Sequence, residues 1–588
     1  MTNADLNVER GEASLKPLAR AAVVGLLLLL PTAALGQPGE AGRVGAADST
    51  AALEAAREAQ ARFERIRIAR LPWTWSRSRG PCDERIGRFC FWHEDGGSEW
   101  EPPPEATGIV AAREALLDTL ARIAEGLPGD RWVTGQRVRY LVEAGREGQA
   151  RAVARASRVE PGWRAALEGY ALHAAADYAA AEAAFDRALG AMPPEAARRW
   201  ADPSLLLDGP ARRIRDGLDP GSRVAFDRRM WWLADPLWSV PGNERRSEHF
   251  ARRVLDAMQE DARSAYDVRW GHDLSELLIR YGWPVGWERV RAGPAALARD
   301  PGTRILAHDP PGGRRFVPGW EALSGPTVAP PGAWRLEAER PRSTYAPGYA
   351  RRFVNIDAQV AAFRRGDGLR VVAGWTLAAD SLDPVAEVEA ALVVSASPDA
   401  TPALARATTR GPHGVLTLDV PSEPAVVGVE GLARESRTAG RLRLGSTPPD
   451  RLSDLLLWSG GGSLPSTLEE AIPRARSGVE VGPGERVGIY LELYPPPGTP
   501  AADVAVKLRS GEVEGAWRAI GRVLGFGKER STARLAWREP IGGETIHATS
   551  LELDPPDLPT GAYVLDVVVT WPDGEESRAL RRLEIVRD

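Results

Sequence analysis

The stretch Gly169–Pro193, with the sequence GYALHAAADYAAAEAAFDRALGAMP, sets the architecture of the N-terminal half. Its small residues Gly169 and Ala181 recur at a spacing that allows two antiparallel helices to approach closely. Phe185 is large enough to fill the space beside them, and Pro193 ends the second helix because proline cannot donate the backbone hydrogen bond. The pattern therefore predicts a tightly packed helix pair.

The spacing within this helix pair resembles that of a tetratricopeptide repeat. The matching positions are Gly169, Leu172, Asp177, Tyr178, Ala181, Phe185, Ala188 and Pro193. Residues 132–161 resemble a degenerate copy, with Gly135 and Val138 in the first helix and Ala150 and Ala154 in the second. The resemblance implies a tetratricopeptide-like helical region over residues 109–215 that binds protein or peptide partners. Two helix pairs are equally suited to a role as a packing platform, and both interpretations stay open.

Two further helices are predicted in the central region, residues 216–292. Asn243 is a good N-cap for a helix that buries a stripe of Phe250, Val254 and Met258. The next helix is predicted to begin with Asp273 as N-cap, with Glu276 completing a capping box. Its apolar residues are Leu274, Leu277, Leu278 and Tyr281, and Gly282 and Pro284 end it.

The second of these helices carries a recognisable element. Trp270-Gly271-His272-Asp273, followed by Ile279-Arg280-Tyr281-Gly282, resembles the signature of GWxTD-domain proteins, which are exported bacterial proteins. Arg269 and His272 depart from the family pattern, so the chain is identified as a divergent member. The resemblance implies an envelope or secreted setting and a β-rich C-terminal half. It transfers no catalytic residue, and Arg280 and Tyr281 are expected to fix the turn after the helix.

The C-terminal half is predicted to be β-rich, because short β-like runs there are separated by Pro and Gly. The predicted fold class is multidomain α + β, with a helical repeat-like N-terminal half followed by two tandem antiparallel β-sandwich domains. The predicted segments of this half are a Pro/Gly-rich connector (293–350), β-sandwich 1 (351–446), a linker (447–479) and β-sandwich 2 (480–588).

The N-terminus resembles an export signal over residues 1–36. Lys16 and Arg20 precede an apolar run that Pro31 breaks, and small residues follow before Gln37, where cleavage is expected. The alternative is an uncleaved anchor, but the apolar stretch is short of the ~20 residues that cross a bilayer. We therefore expect an exported, periplasmic or secreted protein that touches a membrane only through an uncleaved signal.

Export affects the expected oxidation state of the two cysteines. Cys82 and Cys90 lie in residues 37–108, which are predicted to form a leader helix and a loop-rich cap. An oxidising compartment favours a local disulfide between them. A metal site would need two more ligands, and only His93 is near in sequence.

The densest polar cluster lies in the central region and includes Glu248, His249, His272 and Glu276. His272 and Glu276 are four residues apart, so they share a helical face on which a metal or acid–base site is conceivable. The competing interpretation assigns these side chains to helix caps and ion pairs, and we favour it. No catalytic, cofactor-binding or metal-ligating residue is therefore assigned, and no cofactor is expected.

Composition excludes one class of partner. The 588 residues hold 75 Lys and Arg against 80 Asp and Glu, for a net charge of −5. This balance gives nucleic-acid binding no electrostatic support. The sequence therefore favours an exported, non-enzymatic scaffold or protein-interaction protein of the bacterial envelope. The alternative hypothesis is an envelope hydrolase or glycan-binding enzyme that uses the His/Glu cluster.

Overall fold

The structure is a computed structural model of the whole chain. It describes residues 7–8, 40–75, 83–91, 93, 102–291, 304–310, 312–377, 386–482, 485–510, 531–553 and 558–586. Most of the predicted export segment and Cys82 lie outside the described residues. The chain forms two compact units, the first from residues 1–205 and 246–311 and the second from residues 206–245 and 312–588.

The predicted fold class is confirmed, with a helical N-terminal half and antiparallel sheets in the C-terminal half. The helices are α1 (Glu40–Arg70), α2 (Thr107–Gly126), α3 (Arg131–Glu143), α4 (Glu147–Ala156), α5 (Pro161–Ala174), α6 (Tyr178–Ala191), α7 (Pro194–Ala201), α8 (Gly209–Asp216), α9 (Pro220–Ala234), α10 (Glu244–Gln259), α11 (His272–Tyr281), α12 (Trp320–Ser324) and α13 (Leu468–Ala471).

The first strands, all short, belong to the first unit. They are β1 (Asn7–Val8), β2 (Trp73–Trp75), β3 (Glu84–Ile86), β4 (Phe89–Phe91), β5 (Gly286–Arg291) and β6 (Arg304–His308). They form two small sheets, in the orders β1-β4-β3 and β2-β5-β6. The segment predicted as a loop-rich cap thus contains the β3–β4 hairpin.

The two predicted helix pairs are present as α3–α4 and α5–α6. Asp130 and Asp177 are the N-caps of α3 and α6, where their side chains accept hydrogen bonds from the backbone N–H groups of Val133 and Ala180. A Cβ added to Gly169 would lie 2.7 Å from the Phe185 ring. The close approach inferred from the sequence is therefore correct at this position.

The start of α11 differs from the prediction. The N-cap residue is Gly271, and no side chain caps the helix. Asp273 lies in the first turn, where its carboxylate accepts hydrogen bonds from Arg88, and Glu276 pairs with Arg280. The capping-box prediction is therefore wrong, because both carboxylates bind arginines. The buried stripe is as predicted, and Gly282 ends the helix with a φ of +94°.

The second unit contains two sandwiches. The strands of the first are β7 (Arg352–Asn355), β8 (Asp357–Arg365), β9 (Gly368–Thr376), β10 (Glu387–Ser395), β11 (Ala403–Arg410), β12 (His413–Pro421), β13 (Ala425–Ala433) and β14 (Thr438–Ser446). They form sheets in the orders β11-β10-β13-β14-β7 and β12-β9-β8. Side chains of both sheets meet in one core that includes Val371, Val388 and Val427.

The second sandwich follows directly along the chain. Its strands are β15 (Leu456–Ser459), β16 (Glu480–Val481), β17 (Val487–Leu493), β18 (Ala501–Ser510), β19 (Ser531–Pro540), β20 (His547–Leu553), β21 (Gly561–Thr570) and β22 (Glu576–Ile585). They form sheets in the orders β15-β17-β20 and β16-β22-β21-β18-β19. Among the described strands of the two sandwiches, pairing is antiparallel except between β7 and β14 and between β16 and β22.

The segments predicted as connector and linker are part of these folds. Residues 447–479 contain β15, which pairs with β17, so they contribute an edge strand of the second sandwich. In the second unit, Phe316 and Tyr345 from the predicted connector pack with Leu432 of β13. Their Pro- and Gly-rich composition marks irregular backbone, but apolar side chains such as Phe316 and Leu457 are buried.

Candidate functional site

The four residues of the predicted polar cluster have separate structural roles. Glu248 forms a buried ion pair with Arg252, whose Nη1 also donates to the Ile279 carbonyl oxygen at 2.9 Å. The ring of His249 is fully buried, and its Nε2 lies 2.9 Å from the carbonyl oxygen of Trp200.

The other two residues of the cluster lie on α11. His272 is exposed at the first residue of the helix, and Glu276 accepts a hydrogen bond from Arg280 at 3.0 Å. Within the described part of the chain, no group of three or more His, Cys, Asp or Glu side chains could hold a metal ion. The geometry thus gives a metal or acid–base site at this cluster no support.

The GWxTD-like element binds the β3–β4 hairpin. Arg280, whose side chain is 1% exposed, donates to both carboxylate oxygens of Glu84 at 2.8 and 2.5 Å. The ring of Tyr281 stacks on Phe91, with 3.9 Å between ring centroids. The bidentate geometry fixes the orientation of the hairpin as well as its distance from α11. Arg280 and Tyr281 thus hold this hairpin, and their expected role in the turn after the helix stays a prediction.

The beginning of the same element is held by two carboxylates. Asp256 accepts hydrogen bonds from Trp270 Nε1 and Ser275 Oγ, both at 2.8 Å. Asp273 accepts from Arg88 Nε at 2.6 Å and from Arg88 Nη2 at 2.9 Å. Partial burial opposes ionisation of Asp273, but the hydrogen bonds from Arg88 outweigh it and lower the pKa of Asp273.

The predicted disulfide is not tested by this arrangement. Cys90 lies in β4, opposite Arg85 in the hairpin, whereas Cys82 lies outside the described residues. The pairing of the two cysteines stays a prediction.

Sequence reasoning missed an interface of the first unit in which α10 contacts both helix pairs. At one end, Arg246 binds Glu182 and Asp186 of α6, at 3.2 and 2.6 Å. Next, the Phe250 ring lies 5.5 Å from that of Phe185, between ring centroids. His173 Nδ1 of α5 is also 3.0 Å from Ser247 Oγ.

The other end of α10 packs on α3. Gln136 Nε2 donates to the Met258 carbonyl oxygen at 2.5 Å, and Arg139 Nη1 donates to Gln259 Oε1 at 3.3 Å. Gly135 allows this approach, since a Cβ there would lie 3.4 Å from Met258 Cγ. The apolar stripe predicted for α10 therefore packs against α3, α5 and α6.

A buried ionic network joins α1 to α3 beside this interface. Glu64, fully buried, accepts hydrogen bonds from Arg139 Nη2 at 3.3 Å and from the Tyr140 hydroxyl at 2.7 Å. Arg67 pairs with Glu143. Burial opposes ionisation of Glu143, but Arg67 and Arg139 outweigh it and lower its pKa, while burial raises the pKa of Tyr140. Charges of opposite sign are thus matched inside the helical unit.

A sequence signal for this network existed. Gln60, Glu64 and Arg67 recur at intervals of four and three residues on α1, which places them on one helical face. On α3, Gln136, Arg139 and Glu143 have the same periodicity. Such a stripe is ordinarily a solvated face, and only the fold shows that the two stripes meet.

Comparison with known proteins identifies no family. No family model and no curated protein matches the chain. A red sea bream transglutaminase structure matches with 9% identity and a TM-score of 0.14, over 40% of this chain and 32% of that one. A structure of the receptor tyrosine kinase Torso matches with 7% identity and a TM-score of 0.12, over 40% of this chain and 74% of that one. The chain thus spans about a third of the transglutaminase, and neither likeness carries an argument. Among the described helices, none has the length and apolar character needed to cross a membrane.

Proposed function

We propose that this protein is a non-enzymatic scaffold or protein-interaction protein of the bacterial envelope. The observation that supports this most is the packing of α10 along both helix pairs, through Phe185 and Phe250 at one end and Gln136 and Met258 at the other. A helical region that receives a helix along its length acts as a platform. Here the received helix belongs to the same chain.

The roles of the polar cluster support the same proposal. Glu248 and Glu276 are paired with Arg252 and Arg280, and His249 is buried against a backbone carbonyl. A general acid or base needs access to a substrate, and the buried side chains of Glu248 and His249 lack it. The alternative of an envelope hydrolase or glycan-binding enzyme using Glu248, His249, His272 and Glu276 gains no observation in its favour.

The proposal includes the cellular location of the protein. The N-terminal segment that resembles an export signal, and the GWxTD-like element at residues 270–282, support a divergent GWxTD-like protein in the periplasm or outside the cell. The tetratricopeptide-like spacing supports protein or peptide partners for the helical region. Because α10 covers part of α3, α5 and α6, such partners would bind surfaces that α10 leaves open.

Export and partner binding can be tested on the tagged full chain in a bacterial host. We expect the chain in the envelope fraction, beginning at Gln37, and we expect Leu28→Arg to keep it in the cytoplasm by interrupting the apolar run. Equal recovery of both chains from the cytoplasm would contradict the export proposal.

Affinity capture and metal analysis test the non-enzymatic part. We expect the wild-type chain to retain a defined set of envelope proteins, and the exposed-site variant His272→Ala to retain the same set. Bound metal should be far below one ion per chain in both. A stoichiometric metal ion that His272→Ala releases, or no captured protein above an unrelated exported control, would contradict the proposal.

A further inference from the structure

Among the described strands of the second sandwich, two neighbouring edges have no further strand paired to them. The five-stranded sheet ends at β19 and the three-stranded sheet ends at β20, and residues 541–546 join these two strands. In the described part of the chain, β19 pairs with β18 alone and β20 pairs with β17 alone. Half of the backbone N–H and C=O groups of such an edge point away from its sheet.

The core-facing side of β19 is exposed. Register places Leu535 beside Val506 and Trp537 beside Val504, two buried core residues of β18. Side chains paired in this way lie on the same face of the sheet, so Leu535 and Trp537 face the core side. Leu535 is nevertheless 52% exposed.

The opening is confined to one end of β19. Glu539 accepts a hydrogen bond from Trp537 Nε1, and its Oε1 lies 2.8 Å from His547 Nε2 at the start of β20. This contact closes the end of the strand nearest the 541–546 connection. The uncovered apolar surface is therefore centred on Leu535.

The opposite face of β19 is basic. Arg534 and Arg538 are exposed there, and register places Arg534 beside Lys507 and Arg538 beside Asp503. These two cross-strand pairs thus hold three cations and one carboxylate. A strand added at this edge would meet positive charge on its outer face and apolar side chains on its inner face.

We propose that β19 is a docking edge for an extended segment of another protein in which acidic and apolar side chains alternate. Main-chain hydrogen bonds to the open edge supply affinity. The alternation supplies specificity, because apolar residues extend the Leu535 and Trp537 surface while acidic residues face Arg534 and Arg538. This site is separate from the helical region, so the inference stands whether or not the helix pairs bind partners.

A synthetic peptide provides the probe. We choose a fluorescein-labelled ten-residue peptide of alternating Val and Glu, and a control peptide in which every Glu is Lys. The full chain should bind the acidic peptide and should bind the basic one at least about tenfold more weakly, since like charges would face Arg534 and Arg538. Binding should weaken as salt is raised.

Two variants locate the site. Leu535→Glu places a charge on the apolar side, and Arg534→Glu with Arg538→Glu reverses the outer face, so each should weaken binding about tenfold or more. Leu404→Glu is the matched control, because Leu404 is an exposed leucine, 38% exposed, on the edge strand β11 of the first sandwich. It should bind like the wild type, and circular dichroism checks that all chains are folded.

Several results would overturn the proposal. Equal binding of both peptides, or undiminished binding by the β19 variants, would show that the edge is not the site. A dimer that Leu535→Glu dissolves would identify a second copy as the occupant. Binding that appears only after residues 511–530 are replaced by a Gly/Ser linker would identify that segment of this chain as the occupant.

Discussion

The α10 interface and the β19 edge differ in the burial of their apolar side chains. Phe250 of α10 is buried against Phe185, so the helix pairs are already covered along this face by their own chain. Leu535 of β19 faces the core side of a sandwich and is still largely exposed. The difference indicates that the helix pairs, for which the sequence predicts partner binding, are partly covered by α10, whereas β19, for which it predicts none, carries an exposed apolar side chain.

The largest expected effect is the difference in the free energy of unfolding between a substitution at the α10 interface and one at the β19 edge. Phe250→Ala removes a buried ring from the helical unit and should cost about 3–5 kcal/mol. Leu535→Ala removes an exposed side chain and should change stability by less than about 0.5 kcal/mol. Native-state hydrogen exchange of peptides from each unit measures both values. Similar losses of stability in the two variants would contradict the difference in burial between the two regions.

The next prediction concerns the pH dependence of stability that a buried carboxyl group at the beginning of α10 causes. Burial of Glu244, whose carboxyl accepts a hydrogen bond from the Tyr349 hydroxyl, raises its pKa to about 8 from an ordinary value of 4.5. A raised pKa means that folding favours the protonated form. The contribution of Glu244 to stability should therefore be greatest below about pH 4.5 and fall until about pH 8, by roughly 5 kcal/mol at about 1.4 kcal/mol per pKa unit.

The control for this pH effect is Glu244→Gln, which keeps the shape and removes the titrating proton. Denaturation of this variant between pH 5 and pH 8 should depend less on pH than that of the wild type, and the variant should be the more stable chain at pH 8. A parallel pH dependence of the two chains would contradict the assignment.

A smaller effect is expected where α11 binds the β3–β4 hairpin. Arg280→Met removes the guanidinium that binds Glu84 and Glu276, and it should cost about 2 kcal/mol, because both carboxylates keep some contact with water. Hydrogen exchange should increase in residues 84–91 more than in α5 or α6. Unchanged exchange in the hairpin would show that Arg280 does not hold it.

The smallest effect concerns the partly exposed pair of Asp273 and Arg88. Because the pKa of Asp273 is lowered in the folded chain, its contribution is present above the ordinary pKa of 3.8 and is lost as pH falls through the lower folded value. Asp273→Asn should cost less than about 1 kcal/mol at pH 7, since solvent screens the pair. The cost should vanish in acid, and a constant cost across pH would contradict the ionic explanation.

Local patterns predict the elements better than their partners. The helix pair at residues 161–191 and the end of α11 at Gly282 were predictable, because small residues, periodicity and a positive φ act over short distances. The absence of a capping box at Asp273 was not predictable, because Arg88, which binds the Asp273 carboxylate, lies 185 residues away in sequence. The role of Glu64 depends on Arg139 in the same way. A polar stripe on α1 marks a helical face, but no local pattern identifies the distant residue with which Glu64 pairs.

The packing of α10 on the helix pairs is tested most directly by a double-mutant cycle between Phe185 and Phe250. We would measure hydrogen exchange of α5 and α6 peptides in Phe185→Leu, Phe250→Leu and the double variant, because this reports the helical unit separately. The ring contact predicts a coupling free energy of about 0.5–1.5 kcal/mol. Additive effects of the two substitutions, with a coupling near zero, would contradict the interface.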